Sequence, residues 1–363
     1  MRILLKFAKK HGMKRILALT LAVLVLATGC AGRHGQADGR TEDIQVLYRI
    51  DSTERGYRIS VLDPDGSIQD TLTVSGSMNR IVCMSSSYAA GLSAIGSTGA
   101  ICGISGVKYI SDTAVCRLAG EGRIAEVGSD AMPDYERIAA LKPDIVAAYR
   151  MPGSDMVQNL KSLGIKVLQL NDYLENSPLG RASYIRIFGA LTGRLSAADS
   201  VFGAVSARYR QLAGKVNADV SVKKVLMNIP YADAWYVPGG DNYMSRLVED
   251  AGGKILGSVP EQTESSIIST EKAFTLSRDA DFWLNTGWCD TMEQLYGSNA
   301  MFKSFGIRNV YNNTLRVNTG GGNDFWESGA VYPDRILHDL LLIMHPELVS
   351  GDGEALHYYR KLM

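Results

Sequence analysis

Histidine is scarce in this chain: there are five in 363 residues, and three of them (His338, His345 and His357) fall within the last 26. The other two, His11 and His34, stand close to the N-terminus. The body of the chain therefore has no imidazole to serve as general base to a serine or cysteine nucleophile, and none to build a multi-histidine zinc or manganese site. The patterns G-x-S-x-G, H-E-x-x-H and G-x-x-x-x-G-K-[ST] are absent as well. Cysteine is limited to Cys30, Cys83, Cys102, Cys116 and Cys289, and no C-x-x-C occurs, which removes a zinc knuckle and a thioredoxin-type motif. Cys83 and Cys102 lie in apolar, strand-like runs and read as small buried hydrophobes. There is no net charge, with 38 Lys plus Arg against 38 Asp plus Glu. A nucleic-acid binder would show a basic excess or stripe. No apolar run approaches the ~20 residues of a spanning helix.

The charge that is present is unevenly placed. Arg2, Lys6, Lys9, Lys10, Lys14 and Arg15 are followed by the apolar run Ile16–Ala27, and residues 1–29 hold no acidic group. Without them 32 basic residues face 38 acidic ones, a net charge of −6. Basic, then apolar, then small is the order of a secretory signal. Ala27-Thr28-Gly29-Cys30 resembles a bacterial lipobox, with Ala27 where Leu is usual. A polar stretch, 30–43, follows as a tether. Lipidation of Cys30 and export are expected, the other reading being an ordinary cleaved signal with an incidental cysteine.

Residues 44–75 alternate polar and apolar around Pro64-Asp65-Gly66, which predicts an antiparallel hairpin on the rim. From Arg80 the pattern changes to short, wholly apolar runs (Ile81–Met84, Ile101–Ile104, Ile145–Ala148, Val167–Leu170) separated by helix-like segments. That alternation predicts buried strands in a parallel sheet. Residues 179–217 are helical in pattern; Val201, Phe202, Val205, Tyr209, Leu212 and Val216 make one stripe of a helix about 33 Å long. Strands and helices then resume, and the last helix starts at Pro333. The expected fold is α/β: a lobe over 44–178, a helical linker over 179–217, a second lobe over 218–347 and a tail over 348–363.

The expected strand ends carry aromatic and polar residues. Tyr88, Tyr109, Tyr149 with Arg150, and Asp172 with Tyr173 follow strands of the first lobe. Tyr231, Trp235, Tyr236 and Trp288 follow strands of the second, and Trp326 precedes the last helix. Parallel sheets bind ligands outside the carboxyl ends of their strands. Two such edges face to face would form an aromatic cleft, so Tyr88, Tyr109, Tyr149, Arg150, Trp235, Trp288 and Trp326 are the candidate ligand contacts; rim packing is the alternative for each. Trp283 lies inside a strand and is expected in the core. Ser85-Ser86-Ser87 reads as a helix cap, with a nucleophile the weaker alternative. Gly320-Gly321-Gly322 reads as a loop needing free φ.

At this point the residues match a known family. Arg80-Ile81-Val82, Val127-Gly128, the stretch Pro133-Asp134-Tyr135-Glu136-Arg137 through Asp144-Ile145-Val146, Tyr236-Val237-Pro238-Gly239-Gly240, Asp250-Ala251-Gly252-Gly253 and Ser269-Thr270-Glu271 stand in its order. Over about residues 78–347 the chain resembles the class III substrate-binding proteins of ABC importers, which take vitamin B12 and ferric siderophores. Residues 44–77 and the ending Tyr358-Tyr359-Arg360 resemble a Bacteroidetes-type iron-transport lipoprotein branch. The resemblance implies two Rossmann-like lobes joined by one long rigid helix, the ligand between them, and little lobe movement on binding. It implies that Glu136 and Glu271 dock a dimeric permease with its ATPase. It further implies a monomeric, non-enzymatic, periplasmic protein held at the inner membrane by lipid on Cys30, with no resident cofactor and no nucleic-acid partner. The cargo would be a ferric siderophore. A corrinoid is the alternative, as is haem on an axial ligand such as Tyr88. A lipoprotein enzyme or adhesin on the same fold is the competing class.

Overall fold

The computed structural model describes residues 44–363 apart from 152, 233, 350 and 352–354. The leader, the tether and Cys30 lie outside the described residues. The chain first lays down three antiparallel strands in the order β1 (Tyr48–Thr53), β2 (Gly56–Leu62) and β3 (Ile68–Ser75), a meander where a hairpin was expected. Tyr48, Ile59, Val61 and Val74 point from it into the core of the first lobe. Its polar edge is tied there too: the Leu47 N–H donates to Glu175 Oε1 at 2.7 Å, and Asn171 Nδ2 donates to the Leu62 carbonyl at 2.8 Å.

The first lobe is a five-stranded, all-parallel sheet in the order β6-β5-β4-β7-β8. The strands are β4 (Ile81–Cys83), β5 (Ile101–Ile104), β6 (Ala125–Glu126), β7 (Ile145–Tyr149) and β8 (Val167–Leu170). Ile81, Val82, Cys83, Ile145 and Val146 are wholly buried, as continuous apolar strands covered on both faces must be. Helices α1 (Ser86–Ala94), α2 (Thr113–Gly120), α3 (Tyr135–Ala140) and α4 (Met156–Ser162) connect them. Side-chain caps set three of these starts. Ser85 accepts from the Ser87 N–H, Asp112 from Val115 and Asp134 from Arg137. The serine run is thus a cap.

The linker is three helices: α5 (Pro178–Ala182), α6 (Ile185–Thr192) and α7 (Leu195–Ala213). Gly193, at φ 69°, ends α6 and turns the chain into α7. Helix α7 belongs to both cores: Ala198 packs in the first lobe and Tyr209 in the second.

The second lobe has the sheet β11-β9-β13-β14-β15, formed by β9 (Lys223–Met227), β11 (Gly253–Ile255), β13 (Phe282–Leu284), β14 (Val310–Asn312) and β15 (Arg360–Lys361). A separate antiparallel pair is formed by β10 (Trp235–Val237) and β12 (Ser266–Ile268). The helices are α8 (Tyr243–Asp250), α9 (Thr270–Ser277), α10 (Met292–Ser298), α11 (Asp324–Glu327) and α12 (Pro333–Met344). Trp283 is core, as expected, with its ring 5.2 Å from Phe302 and 5.1 Å from Phe305. The expected tail is not separate from the lobe. Strand β15 pairs with β14, Tyr358 and Tyr359 are fully buried, and the Asp339 carboxylate accepts the N–H groups of His357, Tyr358 and Tyr359. A buried carboxylate with three donors holds that segment in register.

Candidate ligand cleft

The lobes meet where the loop after β14 crosses to the loop after β5. Asn318 organises the crossing. Its Oδ1 accepts the N–H groups of Gly320 at 2.9 Å and Gly322 at 2.8 Å, while its Nδ2 donates across the lobes to the Ile110 carbonyl at 2.8 Å. Only Gly321 of the glycine triplet has a positive φ, 86°. Its neighbours serve another purpose. A Cβ on Gly320 would overlap the Lys108 carbonyl, and one on Gly322 the Tyr109 carbonyl, so the two backbones touch only because both residues are glycine. Beyond them Glu327 of α11 is buried, and its carboxylate accepts the Ser111 N–H at 2.7 Å and the Asp112 N–H at 2.9 Å. Burial pushes its carboxyl up to about 7, with Asp324 and Asp112 adding repulsion against the two hydrogen bonds. Helix α1 packs on α11 beside this grip. The long helix is therefore not the only junction between the lobes.

An open groove of about 770 Å³ lies along the crossing, walled by Val107, Lys108, Ser111 and Cys116 from the first lobe and by Leu315 and Arg316 from the second. Lys108 Nζ sits 4.8 Å over the Tyr109 ring, and Arg316 Nε donates to Asp324 at 2.5 Å. Neither cationic side chain stands out in the sequence, because Lys108 and Arg316 lie in loops with no pattern of their own. The only sequence signal for this crossing was the glycine triplet.

The seven expected contacts are not gathered on one wall. Tyr109 is half-exposed beside the groove, between two residues that line it. Tyr149 and Arg150 stand at the end of β7, on the other half of the sheet. The Tyr149 hydroxyl donates to Asp130, its ring meets Tyr173 at 6.3 Å, and Arg150 lies 3.6 Å from Asp63 of the meander. Trp288, beyond β13, is 69% exposed. Trp326 is half-exposed but lines a small pocket with Arg181 and Tyr243, beside α5 and α8.

Two expectations are corrected. Tyr88 is on the buried face of α1, and its hydroxyl donates to Asp172 at 2.9 Å; Arg181 holds the other Asp172 oxygen at 3.3 Å. Burial, with the Asp172 charge beside it, holds the phenol well above its usual range, so Tyr88 offers neither a ligand contact nor an axial phenolate. Trp235 is also core. It stacks on Trp283 and Phe305, each with centroids 6.0 Å away, and its indole N–H donates to the Met227 carbonyl at 2.8 Å. Glu136 and Glu271 are both exposed, each at the second position of its helix.

Residues 81–315 match the family model described as periplasmic binding protein. The chain belongs to the periplasmic binding protein family. An uncharacterized lipoprotein of Methanocaldococcus jannaschii is 27% identical over 78% of this chain and 69% of its own length. The uncharacterized ABC transporter substrate-binding lipoprotein YvrC of Bacillus subtilis is 24% identical over 72% of this chain and 77% of its own. A crystal structure of a periplasmic heme binding protein from Pseudomonas aeruginosa shares the fold, with a TM-score of 0.59, 15% identity, 79% of this chain covered and 98% of that one. As a periplasmic binding protein the chain is a substrate-binding component of an ABC transporter, a family of binders rather than enzymes. The family match spans residues 81–315, so the meander, Asn318 and Glu327 lie outside the matched segment.

Proposed function

We propose that this protein is held at the inner membrane by lipid on Cys30, captures a ferric-siderophore-type iron complex between its lobes, and hands it to a permease dimer driven by an ATPase. The groove between the lobes carries the reading. At about 770 Å³ it falls in the range of small-molecule sites, and both lobes contribute to it. Lys108 suits an anionic complex, Arg316 adds a guanidinium already shared with Asp324 of the same groove, and the half-exposed Tyr109 stands beside the lining. Among the described residues no group of three or more His, Cys, Asp or Glu could hold a bare metal ion. The cargo is accordingly read as a metal already chelated, which needs walls and charge rather than protein ligands. Arg150 and Trp288 are kept as outer contacts.

The test is mass spectrometry and absorbance on protein purified from its own host, followed by calorimetric titration with ferric catecholate and hydroxamate siderophores, cobalamin and haemin. Binding of a ferric siderophore at or below micromolar Kd, with weak binding of the others, is expected. Binding of cobalamin alone would move the protein to corrinoids. A haemin preference with a Soret band shifted by Tyr109→Phe would move it to haem. The anchor rests on Ala27-Thr28-Gly29-Cys30 and on relatives described as lipoproteins. Cys30→Ser is expected to leave the membrane fraction, and its retention there would end that part of the reading.

A further inference from the structure

Two six-residue stretches, one in each lobe, repeat the same arrangement. In the first, Met132 stands two residues before the cap Asp134, Glu136 follows at the second helical position and Arg137 at the third. In the second, Ile267 stands two residues before the cap Ser269, Glu271 follows at the second helical position and Lys272 at the third. The first buried helical residue is the fourth in both, Ile138 and Ala273. Each helix is preceded by a short antiparallel pairing, Gly128 with Pro133 in one lobe and β10 with β12 in the other. A large apolar side chain thus lies four residues ahead of a carboxylate in each lobe. Both are left in solvent: Met132 is 78% exposed and Ile267 63%. Ile267 has company. Tyr236 is its direct partner across the β10–β12 pair and is 41% exposed on the same face. Side chains directly opposite in such a pair stand about 5 Å apart.

We propose that Met132 in the first lobe, and Ile267 with Tyr236 in the second, are the apolar anchors of two matching docking patches that seat on the two halves of a membrane permease. This rests on the transport reading above and adds to it the part of the surface that supplies affinity. Exposed ion pairs contribute little on their own and mainly set orientation and on-rate, so two carboxylates make a weak dock. Affinity at interfaces comes from apolar and aromatic anchors that become fully buried, and Met and Tyr are enriched there. The occupant follows from the repetition. Two patches of one design on different lobes match a partner with two equivalent halves, each presenting a cationic side chain beside an apolar recess.

The test uses the full-length lipoprotein and its host's permease–ATPase complex in nanodiscs, with binding read by interferometry at 50 and 300 mM salt. Met132→Ser and Ile267→Ser are each expected to weaken docking about tenfold, and together about a hundredfold, by the same factor at both salts. Tyr236→Ser is expected to act with Ile267→Ser less than additively. Ile68→Ser and Leu163→Ser, at exposed apolar positions elsewhere, should dock as wild type. Thermal unfolding and siderophore titration check that every variant is folded. Wild-type docking by Met132→Ser and Ile267→Ser would overturn the anchors. If Glu136→Arg with Glu271→Arg still abolished docking in that case, the transport reading would survive the loss of the anchors. Failure of the wild-type protein to bind the complex would overturn both. Self-association lost in Ile267→Ser would make a second copy the occupant and overturn the permease assignment.

Discussion

Glu327 and Asp112 lie in different lobes, 215 positions apart, and the carboxylate of the first accepts the backbone N–H of the second at 2.9 Å. The same carboxylate takes the Ser111 N–H, so one side chain satisfies two consecutive donors just ahead of helix α2. Glu327→Ala takes the carboxylate away from two part-buried donors. A loss of about 2 kcal/mol in unfolding free energy is expected, against about 1 for Glu327→Gln, which keeps one acceptor. Urea unfolding measures both. An alanine variant as stable as wild type would show that the grip contributes nothing.

The same carboxylate gives a pH dependence. Glu327 and Glu175 are both pushed up to about 7 from 4.5, chiefly by burial. A folded state with raised carboxyl groups binds more protons than the unfolded chain between those values. Their contribution is therefore fully present below about pH 4.5 and is lost as pH rises through about 7. Stability measured by urea at pH 4.5, 5.5, 6.5 and 7.5 should fall more steeply for wild type than for Glu175→Gln with Glu327→Gln. Equal slopes would mean that neither group titrates in that window.

Gly322 tests the close approach of the two loops. A Cβ there meets the backbone carbonyl of Tyr109, which cannot rotate away, so Gly322→Ala must push the loop off the first lobe. Amide hydrogen exchange at Ser111 and Asp112 should accelerate by at least tenfold, with about 1–3 kcal/mol lost. Gly321→Ala is the control: nothing stands near its Cβ, so only the φ of 86° is strained, at about 1 kcal/mol, and exchange at Ser111 should hold. Unchanged exchange in Gly322→Ala would show that the contact is dispensable.

What could be read in the sequence and what could not divides along one physical line. Runs such as Ile81–Cys83 and Ile145–Ala148 announce buried parallel strands because both faces are covered, and the stripe of α7 announces a helix seated on cores. These are local signals. Tyr88 follows a strand in chain order, but the Ser85 cap starts a helix at once and turns Tyr88 onto its buried face. Trp235 lies in a strand whose partner, Ile268, comes 33 residues later, and nothing near Trp235 announces that pairing. The burial of Tyr358 and Tyr359 depends in the same way on Asp339 and β14. The site suffers most from this, because a cleft between lobes is made of contacts such as Asn318 with Ile110, 208 positions apart.

Trp235 and Trp288 carry the sharpest separation of stability from binding. They are the same residue type in the same lobe, and the expected strand-end cleft treated them alike. Trp235 is enclosed by Trp283, Phe302 and Phe305 and gives its indole N–H to Met227. Trp235→Phe keeps most of the ring but leaves the Met227 carbonyl without that donor and opens a small void. A loss of about 2 kcal/mol in stability is expected, with ligand affinity unchanged. Trp288 has almost nothing to lose on folding, since most of it is in water. Trp288→Ala should shift stability by less than about 0.5 kcal/mol. If the ligand covers it, affinity should fall about 30-fold, the cost of about 2 kcal/mol for an aromatic anchor. Calorimetric titration with a ferric siderophore beside thermal unfolding reads both residues in one set of experiments. Normal affinity in Trp288→Ala would confine the site to the groove beside Lys108 and Arg316, and weakened affinity in a stably folded Trp235→Phe would return Trp235 to the cleft.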